Sequence, residues 1–205
     1  MSLMIQHAVP TDEAAIAGLH AESWRDSYRG DLPDDYLDGP LAGEMREKWR
    51  RRLSQPQPGW LVLVATIDDA FAGFLAAGPD PDDPDRDLID NLHVVSGLRS
   101  QGIGAALMRE GADRLAAMGR ERAILRVVES NTRARAFYRS LGGIEGAPVS
   151  HAIAPGQVVE LVPYTWDRTQ DIAAAARRRL ARCGGASVTG GRCARGLLAL
   201  RRHLV

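Results

Sequence analysis

The stretch that decides the fold reads Arg99-Ser100-Gln101-Gly102-Ile103-Gly104-Ala105. It follows residues 88–94, an apolar run that predicts a strand, and it opens a helix whose apolar residues recur at steps of three and four as far as Met118. A glycine-rich turn between strand and helix presents backbone N–H groups, and glycine lets an anion approach them closely. The helix dipole favours the same anion. We therefore expect a diphosphate to bind at this turn.

Two common nucleotide-binding motifs do not fit the turn. The dinucleotide fingerprint needs a third glycine where Leu107 stands, and its acidic residue is not found at the end of the next strand. The P-loop needs a lysine after its last glycine, and the only lysine of the chain is Lys48. The pattern that remains is Arg99-x-x-Gly102-x-Gly104, which is weakly specific by itself.

The sequence after this helix adds two further elements. Residues 123–128 are apolar enough to predict a buried strand. Asn131 is a candidate N-cap for a short helix that Gly142-Gly143 ends. The apolar face of that helix consists of Ala134, Phe137, Tyr138 and Leu141.

In combination, these segments resemble the GNAT superfamily, the acetyl-CoA-dependent N-acyltransferases. The resemblance is carried by Leu92-His93-Val94, Arg99-x-x-Gly102-x-Gly104, Leu125-x-Val127, and Asn131-x-x-Ala134-x-x-Phe137-Tyr138 followed by Leu141-Gly142. It covers about residues 1–167, with its most specific part at residues 88–143. Gly143 departs from the family pattern, which usually has an aromatic residue after Leu-Gly.

The resemblance implies one mixed α/β domain over residues 1–167, with a twisted, mostly antiparallel central sheet and helices on both faces. The pattern before the glycine turn agrees with it: a strand, two helices, and two strands joined by a tight turn at Asp68-Asp69. Residues 157–166 read as the last strand. Acetyl-CoA is expected in the cleft where the fourth and fifth strands separate.

The activity implied is direct transfer of an acetyl group from acetyl-CoA to a primary amine, with no metal and no covalent enzyme intermediate. By resemblance, backbone groups of Leu92, His93 and Val94 meet pantetheine and the thioester carbonyl. Residues Arg99, Ser100, Gln101, Gly102, Ile103, Gly104 and Ala105 hold the diphosphate, and Asn131 and Phe137 contact the cofactor. Asn131 caps its helix, contacts the cofactor, or does both.

Tyr138 is our candidate for the general acid that protonates the departing thiolate, since a phenol with a pKa near 10 suits that transfer. The alternative is that it only packs. Strand alternation puts Leu88, Asp90 and Leu92 on one face and His93 on the other. By resemblance, a general base is expected on the first face, at the position of Leu88 or Asp90. Leucine cannot accept a proton, so Asp90 is the candidate general base. A structural hydrogen bond from Asp90 to the N-terminal helices is the equal alternative.

The opposite wall of the site is expected, by resemblance, to come from the N-terminal helices, with Glu22, Trp24 and Tyr28 near the amine. We expect Arg126 and the acidic run 80–85 to be solvated, because that run does not match a calcium loop.

Charge divides the chain unevenly. Residues 168–205 hold nine arginines and one acid, a net charge of +8, which leaves −8 on residues 1–167. An acidic body favours a cationic amine by long-range attraction. The basic Arg/Ala/Gly-rich tail is expected to be a poorly ordered extension or short helices, and the alternative is an arginine contact with nucleic acid or a membrane surface.

Cysteine and hydropathy patterns add three expectations. Cys183, Cys193 and His203 match no zinc spacing, so no metal site is expected. No apolar run approaches about 20 residues, which predicts no membrane span and a cytoplasmic protein. A homodimer is possible on this sequence.

The acceptor stays open between a small amine, a polyamine and a peptide amine. Two other functions remain: a catalytically silent regulatory domain that binds acyl-CoA, and a protein acetyltransferase that engages a macromolecule through its basic tail.

Overall fold

The computed structural model describes residues 2–154 and 157–185, and this part of the chain forms eight strands and six α-helices. In chain order they are β1 (Leu3–His7), α1 (Glu13–Tyr28), α2 (Asp34–Asp38), α3 (Leu41–Ser54), β2 (Leu61–Ile67), β3 (Ala70–Pro79), β4 (Asp87–Val94), α4 (Ile103–Ala117), β5 (Ala123–Val128), α5 (Thr132–Ser140), β6 (Ile144–Glu145), β7 (Val149–Ala154), β8 (Gln157–Trp166) and α6 (Thr169–Gly185). Within these residues, no helix is both long and apolar enough to cross a bilayer.

All the strands belong to one sheet in the order β1-β2-β3-β4-β5-β8-β6, and β7 also pairs with β8. Of the strand pairs found in the described residues, only β4 and β5 run parallel. The hairpin between β2 and β3 turns at Asp68 and Asp69, whose φ angles of 46° and 67° are typical of a tight hairpin turn. The mixed, mostly antiparallel sheet expected from the sequence is confirmed.

Helices cover both faces of the sheet, as expected. On one face, α1 and α3 pack against the strands around Trp49 and Phe74, both fully buried. On the other face, α4 and α6 cover a second core that includes Leu107 and Trp166. Each core excludes water from one face of the sheet, so the strands between them are fixed by burial from both sides.

The two parallel strands separate soon after they begin. β4 pairs with β5 only through Asp87 with Ala123 and Leu88 with Ile124. Beyond Leu88, the edge of β4 that faces β5 has no ladder partner in the described residues. The separation of the fourth and fifth strands is therefore confirmed, and it leaves an opening in the middle of the sheet.

A β-bulge interrupts β4 at Asp90. In the β3–β4 register, Asn91 pairs with Ala76 and Ile89 pairs with Ala77, so Asp90 is an extra residue. The bulge resets the alternation of side chains. Ile89 and Leu92 both pack into the core that α4 and α6 cover, whereas His93 lies with Asp90 on the opposite face, which α1 and α3 cover. The expectation that alternation turns His93 away from Asp90 is wrong for this reason.

Of the two expectations for the basic tail, a helix is found for its first part, and this helix is packed against the rest of the fold. At its start, the Thr169 N–H donates to the Glu121 carbonyl at 2.6 Å, next to the end of α4. Further along, Arg177 donates to both carboxylate oxygens of Asp113 on α4 at 2.7 Å. Ile172, Ala173 and Ala176 are buried between the two helices and the sheet.

The packed body therefore continues past the boundary expected at residue 167, with α6 lying antiparallel on α4. The rest of the basic tail, residues 186–205 with Cys193 and His203, lies outside the described residues.

Candidate active site

The glycine turn has the backbone conformation that an anion site needs. Ser100 and Gly102 have φ angles of 66° and 90°, in the left-handed region that glycine adopts without strain. Gly102 is the N-cap of α4 and provides no side-chain cap. Within the described ranges, no acceptor is found for the backbone N–H groups of residues 103–105. These groups are free to donate to a ligand, and the helix dipole makes their surroundings positive.

Three elements meet at Gly104. A Cβ at this position would lie 3.6 Å from Cζ of Phe137 and 3.8 Å from Cγ2 of Val94. Both distances are ordinary van der Waals contacts, so the first turn of α4 touches the end of β4 and the apolar face of α5. The expected cofactor residues on these elements are therefore neighbours in space.

Backbone groups of β4 point into the opening beside β5. The Val95 N–H donates to the Ala72 carbonyl on β3 at 3.0 Å. Because backbone groups alternate along a strand, Val94 and Leu92 direct theirs away from β3, toward β5. Arg99 supports this end of the strand: its Nε donates to the Val94 carbonyl at 3.2 Å, and its Nη2 lies 3.3 Å from Asp26 on α1.

Tyr138 lies in the last turn of α5 and is half-buried next to two aromatic rings. Its ring centroid is 5.4 Å from that of Phe137 and 5.8 Å from that of Tyr164. Burial raises the pKa of Tyr138 to about 12, so the phenol keeps its proton at neutral pH. Its hydroxyl donates to no other group of the part of the chain that the structure describes. The predicted cap of this helix is confirmed, since Oδ1 of Asn131 accepts from the Ala134 N–H at 3.0 Å.

On the other side of the sheet, His93 joins an aromatic cluster that the sequence analysis missed. Its ring centroid lies 4.9 Å from that of His20 on α1 and 5.1 Å from that of Phe74. Trp49 Nε1 donates to His20 Nδ1 at 2.9 Å, which leaves the proton of neutral His20 on Nε2. Burial lowers the pKa of His20 to about 2 and that of His93 to about 4. Both imidazoles are therefore neutral at neutral pH.

A signal for His20 exists in the sequence. It stands one helical turn after Ile16 and one turn before Trp24, on the apolar stripe of α1. A polar residue on such a stripe must find a partner inside the fold, which here is Trp49.

Asp90 is held by cations of α3. Arg52 Nη1 donates to Asp90 Oδ2 at 2.8 Å, and Lys48 Nζ lies 3.9 Å from the same oxygen. The Arg52 guanidinium also lies 4.0 Å from the centroid of the Trp60 ring. Of the two expectations for Asp90, the hydrogen bond to the N-terminal helices is found. Its carboxylate is thus engaged in an ion pair next to the imidazole of His93.

The three residues expected on the amine side do not all come together. The rings of Trp24 and Tyr28 lie 4.8 Å apart, and Trp24 also contacts His20 at 5.8 Å. Burial raises the pKa of Tyr28 to about 12, and the nearby carboxylate of Asp31 adds to that shift. Glu22 is exposed, on the side of α1 opposite to buried His20. The structure therefore brings Trp24 to His20 and Tyr28 to Trp24, and it leaves Glu22 outside this cluster.

Arg126 and part of the acidic run are paired with each other, contrary to the expectation that they are solvated. Arg126 Nη2 donates to Asp80 Oδ2 at 2.9 Å and to Asp82 Oδ2 at 3.1 Å. Asp80 is only 3% exposed, because the guanidinium neutralises its charge inside the fold. The loop that follows β3 is thereby fastened to β5. No group of three or more potential metal ligands occurs in the described residues.

Comparisons with known proteins identify the family of this chain. Residues 21–143 match the model of the acetyltransferase (GNAT) family. A protein of Mycobacterium tuberculosis named as a probable N-acetyltransferase is 30% identical over 137 residues, which are 67% of this chain and 77% of that protein.

Solved structures share the fold. The PaiA N-acetyltransferase of Thermoplasma acidophilum, in complex with coenzyme A, superposes with a TM-score of 0.65 at 18% identity, over 81% of this chain and 100% of that one. YncA of Salmonella typhimurium, with acetyl-CoA, has a TM-score of 0.63 at 15% identity, over 82% and 94% of the two chains. By the family match and the sequence identity, the chain belongs to the acetyltransferase (GNAT) family and is an acetyl-CoA-dependent acyltransferase.

Proposed function

We propose that this chain acetylates a primary amine by direct transfer from acetyl-CoA. The observation that carries the proposal is the opening between β4 and β5, which ends at the free N–H groups of residues 103–105. Acetyl-CoA has the matching layout, a diphosphate joined to an extended pantetheine arm that ends in the thioester. The diphosphate accepts from the N–H groups of α4, and the arm pairs with the backbone of Leu92 and Val94.

In this proposal the amine nitrogen attacks the thioester carbonyl carbon, a C–N bond forms, and the C–S bond breaks. Tyr138 gives its proton to the departing thiolate. Its phenol is protonated at neutral pH, and its hydroxyl has no partner in the described residues. Both observations support this role, although the raised pKa makes the phenol a weaker donor. The ring of Phe137 lies against Gly104, and its centroid is 5.4 Å from that of Tyr138.

The amine must lose a proton before it attacks, and we propose that His93 accepts it. The bulge at Asp90 brings His93 to the same side as Asp90, and the His93 imidazole is unprotonated at neutral pH. Asp90 is less suited than we expected from the sequence, because its carboxylate is already engaged by Arg52. Trp24 lies against His20, the neighbour of this proton acceptor, and Tyr28 lies against Trp24.

The acceptor class that we propose is a cationic amine. The net charge of −8 on residues 1–167 becomes −4 when residues 168–185 with α6 are included, and it still attracts such cations. A polyamine, an amino acid and a peptide with a free N-terminus or lysine all carry the required ammonium group.

The test is thiol release from acetyl-CoA with a panel of these amines, with mass spectrometry of the products. We expect turnover with at least one amine, and Tyr138→Phe should lower kcat by about one to two orders of magnitude while CoA binding persists. Tyr36→Phe is the matched control, since Tyr36 lies on α2 and bonds to Glu44. It should retain full activity.

Two outcomes contradict the proposal. Tight CoA binding without turnover on any amine favours the catalytically silent regulatory domain. Equal turnover in Tyr138→Phe and the native protein removes Tyr138 as the acid.

A further inference from the structure

Helix α6 ends beside the glycine turn, a feature that the catalytic proposal does not use. A Cβ at Gly102 would lie 3.0 Å from Cδ2 of Leu180, so α6 touches the outer side of the turn. On the other side of the same turn, Phe137 of α5 lies against Gly104. The first turn of α4 is thus flanked by α5 and by α6.

Arg179, next to Leu180, bridges α6 and α5. Its guanidinium carbon lies 5.5 Å from the centroid of the Phe137 ring, and its Nη1 donates to Ser140 Oγ at 3.2 Å. Among the described residues, no carboxylate pairs with Arg179, whereas Arg177 on the same helix pairs with Asp113. Arg179 is therefore a cation at the outer edge of the expected diphosphate site, and residues 2–154 and 157–185 provide no neutralising acid for it.

The covalent order of CoA fixes what should lie at this edge. If the pantetheine arm enters the sheet between β4 and β5 and the diphosphate sits on α4, the adenosine end must leave outward, past α5 and α6. That end carries the ribose 3′-phosphate. The C-terminal end of a helix dipole repels such an anion, so a phosphate beside the last turns of α6 needs a cation there.

We propose that Arg179 binds the 3′-phosphate of coenzyme A and that α6 forms an additional wall of the cofactor site. The inference rests on the proposed function, because it assumes that CoA occupies the glycine turn. Phe137 and Ser140 hold the guanidinium in place, which reduces the entropy lost on binding. The guanidinium donates charge-assisted hydrogen bonds to the phosphate oxygens.

The test compares CoA with dephospho-CoA, which lacks only the 3′-phosphate, by isothermal titration calorimetry on the full chain. Arg179→Gln removes the charge but keeps a donor for Ser140. It should weaken CoA binding by about tenfold to thirtyfold and change dephospho-CoA binding by less than about threefold. Arg179→Lys should recover most of the CoA affinity. Arg178→Gln, on an exposed position of the same helix, is the matched control and should bind both ligands as the native chain does.

Three results would overturn the inference. Unchanged CoA affinity in Arg179→Gln shows that the residue does not touch the ligand. Equal weakening of CoA and dephospho-CoA shows that Arg179 acts on the diphosphate or only supports Phe137. In both cases the native chain still binds CoA, so the proposed function survives. If the native chain binds neither ligand, the inference and the proposed function both fail.

Discussion

Ile172 on α6 provides a quantitative test of how the tail contributes to the fold. It is fully buried in the core that α4 and α6 cover. Ile172→Ala removes three carbons, which at about 0.8 kcal/mol for each buried methylene costs about 2.4 kcal/mol. The cavity that remains adds to this cost, so we expect a loss of about 3–4 kcal/mol in the free energy of unfolding. For a chain of this size, that corresponds to a fall in Tm of roughly 6–16 °C.

The measurement is urea unfolding followed by circular dichroism, with thermal unfolding as the second readout. Arg178→Ala, an exposed position on the same helix, is the control and should change the unfolding free energy by less than about 0.5 kcal/mol. If Ile172→Ala is as stable as the native chain, α6 does not complete the core. The tail would then be the dispensable extension that its composition predicts, and the inference about Arg179 would lose its support.

Two further predictions concern the polar residues on the α1 and α3 side. The pKa values of His20 and His93 are lowered, from 6.5 to about 2 and about 4, so the unfolded chain binds protons that the folded chain does not. Their contribution to stability is complete above about pH 6.5 and is lost as the pH falls, down to about 4 for His93 and about 2 for His20. His20→Asn keeps an acceptor for Trp49. Between pH 7 and 5, the unfolding free energy of this variant should fall by about 2 kcal/mol less than that of the native chain. An equal fall in both proteins would show that His20 is not a buried neutral imidazole. If His93 accepts the proton of the amine, His93→Gln should lower kcat by about two to three orders of magnitude and Asp90→Asn by less than about fivefold. Steady-state assays in which Asp90→Asn loses more activity than His93→Gln would make Asp90 the base.

Much of the fold could be predicted because the signals are local. The glycine turn, the helix that follows it, the turn at Asp68-Asp69 and the cap at Asn131 each depend on residues within a few positions of one another. Backbone sterics and short-range hydrogen bonds decide such features, and both depend on residue types that are close together in the sequence.

The composition of α6 left open whether this segment is poorly ordered or helical, and the reason is physical. Its arginines suggest a solvated segment, but their long side chains lie on the outer side, while alanines and one isoleucine face α4. A narrow apolar stripe of small residues is sufficient for close helix packing. Its partner, however, lies about 60 residues earlier, as in the pair of Arg177 with Asp113.

The sequence by itself determined the conformation of the glycine turn, because positive φ angles and an N-terminus without a side-chain cap follow from glycines at set positions. Only the tertiary structure decided which side chains share the site. The extra residue in β4 arises from the register with β3, and it brings His93 to Asp90 and to His20, 73 positions earlier in the chain. Register and burial depend on the whole sheet, so no pattern within one strand could have predicted that meeting.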